Sequence, residues 1–526
     1  MRAALVNPPD TFEPDNHREH APEPLGICYI AAYAREHGHD VDLYDLAEYP
    51  SARMWQAVAA PLAGYPVVGL TSYTKTFPAA LALARWIRRR NPRARIVLGG
   101  PHATPCAEEI LAEHDEIDYI VKNDGELPFT ALLDELAGPA SRLDRVPSLV
   151  WRSDGTIVSN PLPTGNVVLD DYPFPRRTFA VGPVRDMTKK LGGGQDPAVC
   201  LVSSRGCPKR CTFCSIIVMN PRWRARSTGN MLTELAELRA ERDFTHITFM
   251  DANFFVDYRR AVEFSDALYA WDRSVTWSGT ATVDHVSRHP EQIAAIAKNC
   301  AYLEVGLESG CQSVLDRFGK RTTVEHNLRA IEILRATGIG LDVDFIMYDP
   351  WTSLDELHEN RRFLDTADLL GYWPADLLFN PLKLYPGTAA QRRAIEFFRL
   401  EDRRQTELLA PFVHEPVEYV YRTMSGFRDL VYDRVAELPQ LLDGAVRARR
   451  TAPGDPVSAV TAQRMQSAMI RLRHSSYLAF DEVLAAAAMP RHTRPGPGDL
   501  AATRATLPLA RAARELLGLD NEEVQV

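Results

Sequence analysis

From Met1 to about Gly138, short apolar runs alternate with stretches whose apolar positions fall at helical spacing. "RAALVNP" reads as a strand ended by Pro8-Pro9, and "PLGICYIAAYAREHGHD" as an amphipathic helix with Gly38 placed to stop it. "VDLYDL", "PVVGLTSY" and "RIVLGGP" are further strands, "PAALALARWIRRR" is the helix between the last two, and "IDYIVKNDGE" closes the series. This alternation predicts a doubly wound parallel sheet. Ligands on such sheets sit at the carboxyl ends of the strands. Those ends carry Asn7-Pro8, Thr71-Ser72-Tyr73-Thr74, Gly99-Gly100-Pro101-His102 and Asn123-Asp124-Gly125-Glu126. Small and polar residues there let a large ligand approach the backbone.

Residues of about 141–195 are proline-rich and weakly periodic ("LDDYPFPRRTF"), which suggests a connector. A second strand–helix series starts near Val199, with strands expected at "AVCLVSS", "HITFMD", "VTWSGTA", "AYLEVGL", "GLDVDFIMY" and "LLFNPLKLY". Six such units predict a partial or full (β/α) barrel, whose chemistry sits on the loops after the strands. After about Ala390 the strand signal ends and amphipathic helices follow. The expected division is therefore an α/β sheet domain at 1–140, a connector at 141–195, a (β/α)6 barrel at 196–390 and a helical domain at 391–526 that caps the active site.

Composition narrows the function. The chain has 526 residues, 45% of them hydrophobic and 25% charged, with a formal net charge of −9. That balance argues against a general nucleic-acid binder. The N-terminal "MRAALVNPPD" lacks the form of a signal peptide, and no apolar stretch reaches the roughly 18 residues that span a bilayer. A cytoplasmic protein is expected, with neither nucleic acid nor membrane as partner. In that compartment clustered cysteines more often bind metal than form disulfides.

Three of the eight cysteines fall within "GCPKRCTFC", at Cys207, Cys211 and Cys214, directly after the first barrel strand. Zinc would need a second half-site, and none lies nearby. A redox dithiol would use Cys211 and Cys214 and leave Cys207 without a role. Packing alone fits poorly, because "GCPKRC" is too polar for a core strand. An iron–sulfur cluster fits best: three thiolates on one loop leave one iron open, and Arg205, Lys209 and Arg210 would offset the negative charge.

C-x3-C-x2-C with an aromatic at Phe213, on that loop, resembles the radical S-adenosylmethionine (SAM) superfamily. "MDANF", "EVGLES" and "LYPGT" resemble its later landmarks. The first segment, with "NPP", "GGPHAT" and "NDGE", resembles the cobalamin-binding domain fused to one branch of that superfamily, class B methyltransferase-like. The sequence departs from the family's frequent G-E-G-E at Asn123-Asp124-Gly125-Glu126, and the fifth strand ends in Asp349-Pro350 instead of a Gly-Pro-Gly turn.

The resemblance implies a [4Fe–4S] cluster on Cys207, Cys211 and Cys214, and SAM held near Phe213, Asp251, Asn253, Glu308 and Ser309. It also implies cobalamin against Pro8, Thr71, Ser72, Tyr73, Gly99, Gly100, Pro101, His102, Gly125 and Glu126. The implied activity is methyl transfer from SAM, via methylcobalamin, to an unactivated carbon of a specialised metabolite such as an antibiotic precursor. A flavodoxin- or ferredoxin-type donor would supply electrons. Ring closure, ring contraction or oxidation without methyl transfer is the alternative, and a non-catalytic cobalamin sensor a third.

Simpler roles compete at single residues. Phe213 could pack the loop, Glu308 could pair with a cation, Asp251 and Asn253 could cap a helix, and His102 could stabilise a turn. "DNHREH" (Asp15 to His20) has the Asp and His of a cobalt-ligating D-x-H-x-x-G motif but lacks its glycine. His17 is therefore not expected to ligate, and Tyr73 is expected to approach the lower face of cobalt without bonding.

Overall fold

Strands covered on both faces need apolar residues at nearly every position, and the runs of the first series have them. The computed structural model describes residues 1–9, 23–47, 49, 51–139, 141–163, 167–182, 187–188, 197–369, 377–400, 411–431 and 456–516. The segment Asp15 to His20, with His17, lies outside them. Among the described residues, seven strands build the first sheet: β1 (Arg2–Asn7), β2 (Asp40–Asp45), β3 (Val67–Thr71), β4 (Arg95–Gly99), β5 (Tyr119–Val121), β6 (Leu149–Ser153) and β7 (Thr156–Ser159). Their order is β2-β1-β3-β4-β5-β6-β7, with β1 to β5 parallel. Val6, Val68, Leu70, Ile96 and Leu98 pack one face, and Leu5, Val67, Val97 and Val121 the other.

The stretch read as a connector is not all connector. β6 and β7 lie in it and add an antiparallel hairpin to the edge of the sheet. The signal was present as Asp154-Gly155, both in the left-handed region (φ 47° and 79°), as a two-residue hairpin turn requires.

The second sheet contains β8 (Met187–Thr188), β9 (Pro197–Leu201), β12 (His246–Phe249), β13 (Thr276–Thr282), β14 (Cys300–Glu308) and β15 (Gly340–Phe345), in the order β15-β14-β13-β12-β9-β8. A short ribbon of β10 (Ser204–Arg205) and β11 (Arg224–Ala225) lies between β9 and β12 in the chain. β9 and β12 to β15 run parallel, with helices packed on their outer face around Leu201, Ile247, Trp277, Val305 and Phe345. The sixth barrel strand, expected at "LLFNPLKLY", is not formed as a strand: residues 377–379 make a turn, and the chain from Asn380 runs beside residues 345–348 at the end of β15. Met347 N–H donates to Asn380 O (3.0 Å) and Leu382 N–H to Tyr348 O (2.7 Å). Its ladder is a single bridge, Tyr348 to Pro381, since proline has no N–H to continue it.

Helices Glu415–Val431, Pro456–Ala487 and Ala501–Leu516 follow. Val420, Met424, Phe427 and Phe480 join Leu378 and Phe379 in the apolar cluster that covers the barrel's outer face. Arg361 on helix Leu354–Thr366 donates to Asp481 on the long helix (2.8 Å). The described part of these helices thus packs against the barrel's flank.

The two sheets meet through a small apolar contact, Leu25 and Tyr29 against Ala198 and Cys200, and a buried charge network. Arg177 donates to Glu23 (2.6 Å), Glu234 (2.9 Å) and Cys200 O (2.9 Å); Arg226 donates to Glu234 (2.5 Å) and to the Tyr29 hydroxyl (3.1 Å). Removing one partner of such a network leaves uncompensated buried charge. Arg177→Met should therefore destabilise the chain by about 3–5 kcal/mol. The check is a lower urea midpoint together with faster proteolysis between the two sheets, and an unchanged midpoint would contradict it.

Candidate active site

After β9 the chain must reverse sharply into the cysteine loop, and Gly206 makes the turn. Its φ is +87°, and a Cβ there would lie 2.4 Å from Arg222 O and 2.7 Å from Asn220 O, so only glycine fits. The loop is then tied down by residues far along the chain. Thr212 N–H donates to Phe318 O (2.8 Å), its hydroxyl to Arg317 O (3.2 Å), and Ala390 N–H donates to Thr212 O (2.8 Å).

Cys207 and Cys211 are buried, Cys214 is half-buried, and all three are free thiols. Burial pushes the Cys211 thiol up to about 11; Lys320 opposes that rise, while Cys214, Glu308 and Cys207 add to it. The three thiols thus share one environment. Among the described residues no three Cys, His, Asp or Glu side chains converge on a point that could hold one ion. In an iron–sulfur cluster each thiolate takes its own iron, and three unpaired thiols on one loop, two buried and one half-buried, are compatible with that group.

The cation beside these thiols is not the one expected. Arg205 turns away and donates to Glu126 (2.5 Å), with Asp124 at 3.3 Å, while Lys209 donates to Asp284 (2.5 Å) and Arg210 is exposed. Lys320 supplies the positive charge, donating to Glu308 Oε1 (2.6 Å). No spacing rule connects Lys320 to a loop so far upstream; only the fold brings them together.

The residues expected around SAM fall into two groups. Asn253, fully buried, donates to Cys207 Sγ (3.8 Å), and Glu308 (φ +61°) faces Lys320. Both adjoin the thiols. Asp251 instead accepts from Ser203 N–H (2.7 Å) and from the hydroxyls of Ser203 and Ser204 (both 2.5 Å), so its carboxylate pins the exit of β9. Ser309 is fully buried and donates to Asn360 Oδ1 (2.7 Å), behind the strand end. Phe213 packs edge-on against Phe318 at 5.1 Å.

On the side of the first sheet, a cavity of ≈ 290 Å³ opens between the strand ends and the cysteine-loop entry. Of the residues expected there, Thr71, Tyr73, Gly99, Gly100, Pro101, Gly125 and Glu126 line it; Pro8, Ser72 and His102 do not. Ser72 donates to Gly99 O (3.0 Å) and accepts from His102 N–H (3.0 Å). The His102 ring lies against Phe77 at 4.3 Å. These residues shape the wall from behind. Gly100 (φ +99°) shows why the wall is bare: a Cβ there would sit 2.8 Å from Ser72 N and O.

Asn123, expected at a strand end, also lines the cavity, as do Gly69, Met250 and Ala252, which were missed. At Gly69 a Cβ would come within 2.6 Å of Leu5, and a glycine inside a strand is a recognised mark of close approach by another group. The far wall is Ser204, Arg205 and Gly206, the residues that lead into Cys207. Tyr73 keeps 57% of its surface, yet burial pushes its hydroxyl above the usual range. That combination fits a side chain inside a concavity. Bare backbone, apolar walls and a phenol at the mouth suit a flat, bulky cofactor such as a corrin.

Two family models match the chain: the B12 binding domain over residues 16–133 and the radical SAM superfamily over residues 201–364. An uncharacterized methyltransferase of Pyrococcus horikoshii is 27% identical, over 75% of this chain and 83% of its own. The anaerobic magnesium-protoporphyrin IX monomethyl ester cyclase of a Synechocystis species is 25% identical, over 86% and 89%. Among solved structures, the cobalamin-dependent S-adenosylmethionine radical enzyme OxsB superposes with a TM-score of 0.70 at 17% identity, over 98% of this chain and 79% of its own. The radical S-adenosylmethionine methyltransferase TsrM of Kitasatospora setae has a TM-score of 0.61 at 19% identity, over 75% and 76%.

Gly206→Ala tests how tightly the loop is specified. Forcing a side chain into that left-handed, crowded position should cost about 1–3 kcal/mol and displace Cys207. The expected outcome is a lowered thermal midpoint and less than about half the wild-type iron after anaerobic reconstitution, with the circular dichroism spectrum retained.

Proposed function

Because the chain joins a B12 binding domain to a radical SAM domain, and so belongs to the cobalamin-dependent radical SAM superfamily, we propose that it is a C-methyltransferase acting on a specialised metabolite, such as an antibiotic precursor. Its cofactors are cobalamin, SAM and a [4Fe–4S] cluster. One observation carries the reading. A single cavity is walled by the strand ends of the first sheet and by Arg205, Gly206, Met250 and Ala252 of the second. Residues of both sheets would then present the groups they hold to one substrate carbon.

When bound, the cofactors supply reductive cleavage of a sulfonium bond, hydrogen removal from carbon and a transferable methyl group. The protein's part is to hold and orient them. Cys207, Cys211 and Cys214 would bind the cluster, with Lys320 balancing its charge. Asn253, Glu308 and the backbone at Phe213 would hold SAM, while Asp251 and Ser309 keep the strand exits in place. Thr71, Tyr73, Gly99, Gly100, Pro101, Gly125 and Glu126 would cradle cobalamin, with Tyr73 approaching its lower face and Ser72 and His102 supporting the wall. Leu5, Ile27, Ile30, Leu70 and Met250 on the cavity wall would limit water around the reacting groups. Residues 1–140 and 196–390 would form the two cofactor domains. A flavodoxin- or ferredoxin-type partner would supply electrons in the reducing cytoplasm, where exposed thiols and clusters persist. No helix among the described residues is long and apolar enough to cross a membrane.

The similarity to the anaerobic cyclase supports a second reading, ring closure without methyl transfer. Product analysis separates the two. Methyl transfer should consume two SAM per product, one recovered as 5′-deoxyadenosine and one as S-adenosylhomocysteine, with labelled methyl on a product carbon. 5′-Deoxyadenosine with no S-adenosylhomocysteine would favour the cyclase-like reading. Replacing Cys207, Cys211 and Cys214 together by Ala should abolish iron binding and SAM cleavage while cobalamin binding survives. Retention of about four irons per chain would remove the loop from the assignment.

A further inference from the structure

Arg205 and Gly206 line the cavity shared with the first sheet, and residues 208–213 of the cysteine loop do not. That part of the loop is backed by residues from much later in the chain. A Cβ on Gly319 would lie 3.4 Å from Arg210 O, and Thr212 exchanges backbone hydrogen bonds with Phe318 and Ala390. Three segments, 208–213, 316–321 and 389–399, therefore meet beside the cysteines.

This junction carries uncompensated positive charge. Its exposed arginines are Arg210, Arg321, Arg392, Arg393 and Arg399, and its exposed acids are Asp316 and Glu396. None of these arginines forms an ion pair among the described residues. Lys209, Arg317 and Lys320, by contrast, are each committed to an acid. An independent observation is aromatic. Phe397 keeps 58% of its surface, Trp351 lies 6.4 Å from it, and the Arg393 guanidinium sits over the Trp351 ring at 4.1 Å. Behind them, Trp351 and Phe398 pack on the same apolar cluster as Phe318 and Phe213, and Phe213 stands between Cys211 and Cys214 in the sequence. Side-chain packing thus joins the exposed patch to the thiol loop.

The chain as a whole has a formal net charge of −9, so it repels an acidic protein over most of its surface and attracts one at this face. Transient redox encounters use small interfaces, and an apolar spot with steering charges around it is enough. Resting on the reading of the loop as a cluster site fed by an external donor, we propose that Arg210, Arg321, Arg392 and Arg393, around Phe397 and Trp351, form the docking face for a small acidic electron carrier of the flavodoxin type. The exposed Phe397 ring offers an apolar contact to the flat edge of a flavin, which the cysteine-wrapped centre of a ferredoxin has no use for. One electron leaves the carrier's reduced flavin and enters the cluster. No bond forms or breaks in that transfer, and no proton moves.

The test uses the full chain loaded with cluster and cobalamin. Bleaching of the cluster absorbance is followed by stopped flow with a fully reduced acidic flavodoxin, and separately with dithionite, which needs no docking. In the wild type the flavodoxin-driven rate should fall about tenfold between about 20 and about 300 mM salt. Arg392→Glu with Arg393→Glu should slow it at least about tenfold at low salt and flatten its salt dependence. Iron content and the dithionite rate should stay unchanged, and Arg392→Lys with Arg393→Lys should keep the wild-type rate. If the charge-reversed variant loses iron, Phe397→Ser carries the test, with a flavodoxin rate at least about threefold lower and the dithionite rate kept. A flavodoxin rate unmoved in variants that hold iron, a wild-type rate indifferent to salt, or faster reduction by an acidic ferredoxin would each overturn the inference. The methyl-transfer reading is judged separately, from the products formed with dithionite. Methylation under dithionite with no response to flavodoxin sinks the docking face alone, whereas docking with a cyclised, unmethylated product sinks only the methyl-transfer reading.

Discussion

Arg205 is the residue on which the geometry of the site turns. It precedes Cys207 by two positions, yet its guanidinium belongs electrostatically to the other sheet, held by Glu126 and Asp124. Arg224 on the paired strand β11 also donates to Asp124 (2.6 Å), and together the two arginines hold the Asp124 carboxyl below the usual range against the opposing effect of burial. Buried ion pairs contribute little net stability once desolvation is counted, but they are unforgiving about position. A shift of one sheet relative to the other would strand several charges at once. The clamp therefore fixes the distance and angle between the two walls of the cavity.

The rest of the interface follows the same logic. Its apolar part is Leu25, Tyr29, Ala198 and Cys200, too small to hold two domains by area alone. The Glu23–Arg177–Glu234–Arg226 chain carries orientation in its place. Asp251 performs a similar service within the second sheet by tying Ser203 and Ser204 at the exit of β9. What looked in the sequence like a ligand-binding carboxylate is, in its contacts, a brace for the loop that holds the cysteines.

The chain's architecture was legible because it rests on local signals. Apolar runs buried on both faces, helix periodicity and turn glycines marked the first sheet, and the three cysteines marked the candidate site. The hairpin at 149–159 was missed although Asp154-Gly155 advertised it, since proline-rich flanks masked the alternation. The last barrel strand was overdrawn because its apolar residues suit a strand while Pro381 cannot extend one. Lys320 and the packing of Ser72 and His102 behind the cavity wall were out of reach. Each depends on which distant strand or turn becomes a neighbour, and one sequence does not encode that in any spacing.

The anchoring of Thr212 bears on when the site can exist at all. Its hydroxyl bonds to Arg317, 105 positions downstream, and its carbonyl takes the N–H of Ala390, farther still. During synthesis the N-terminal sheet can fold as soon as it emerges. The three cysteines emerge next, but the supports that hold their loop are translated much later. For that interval the thiols are made but not placed, and cofactor loading must wait until the barrel has closed behind them.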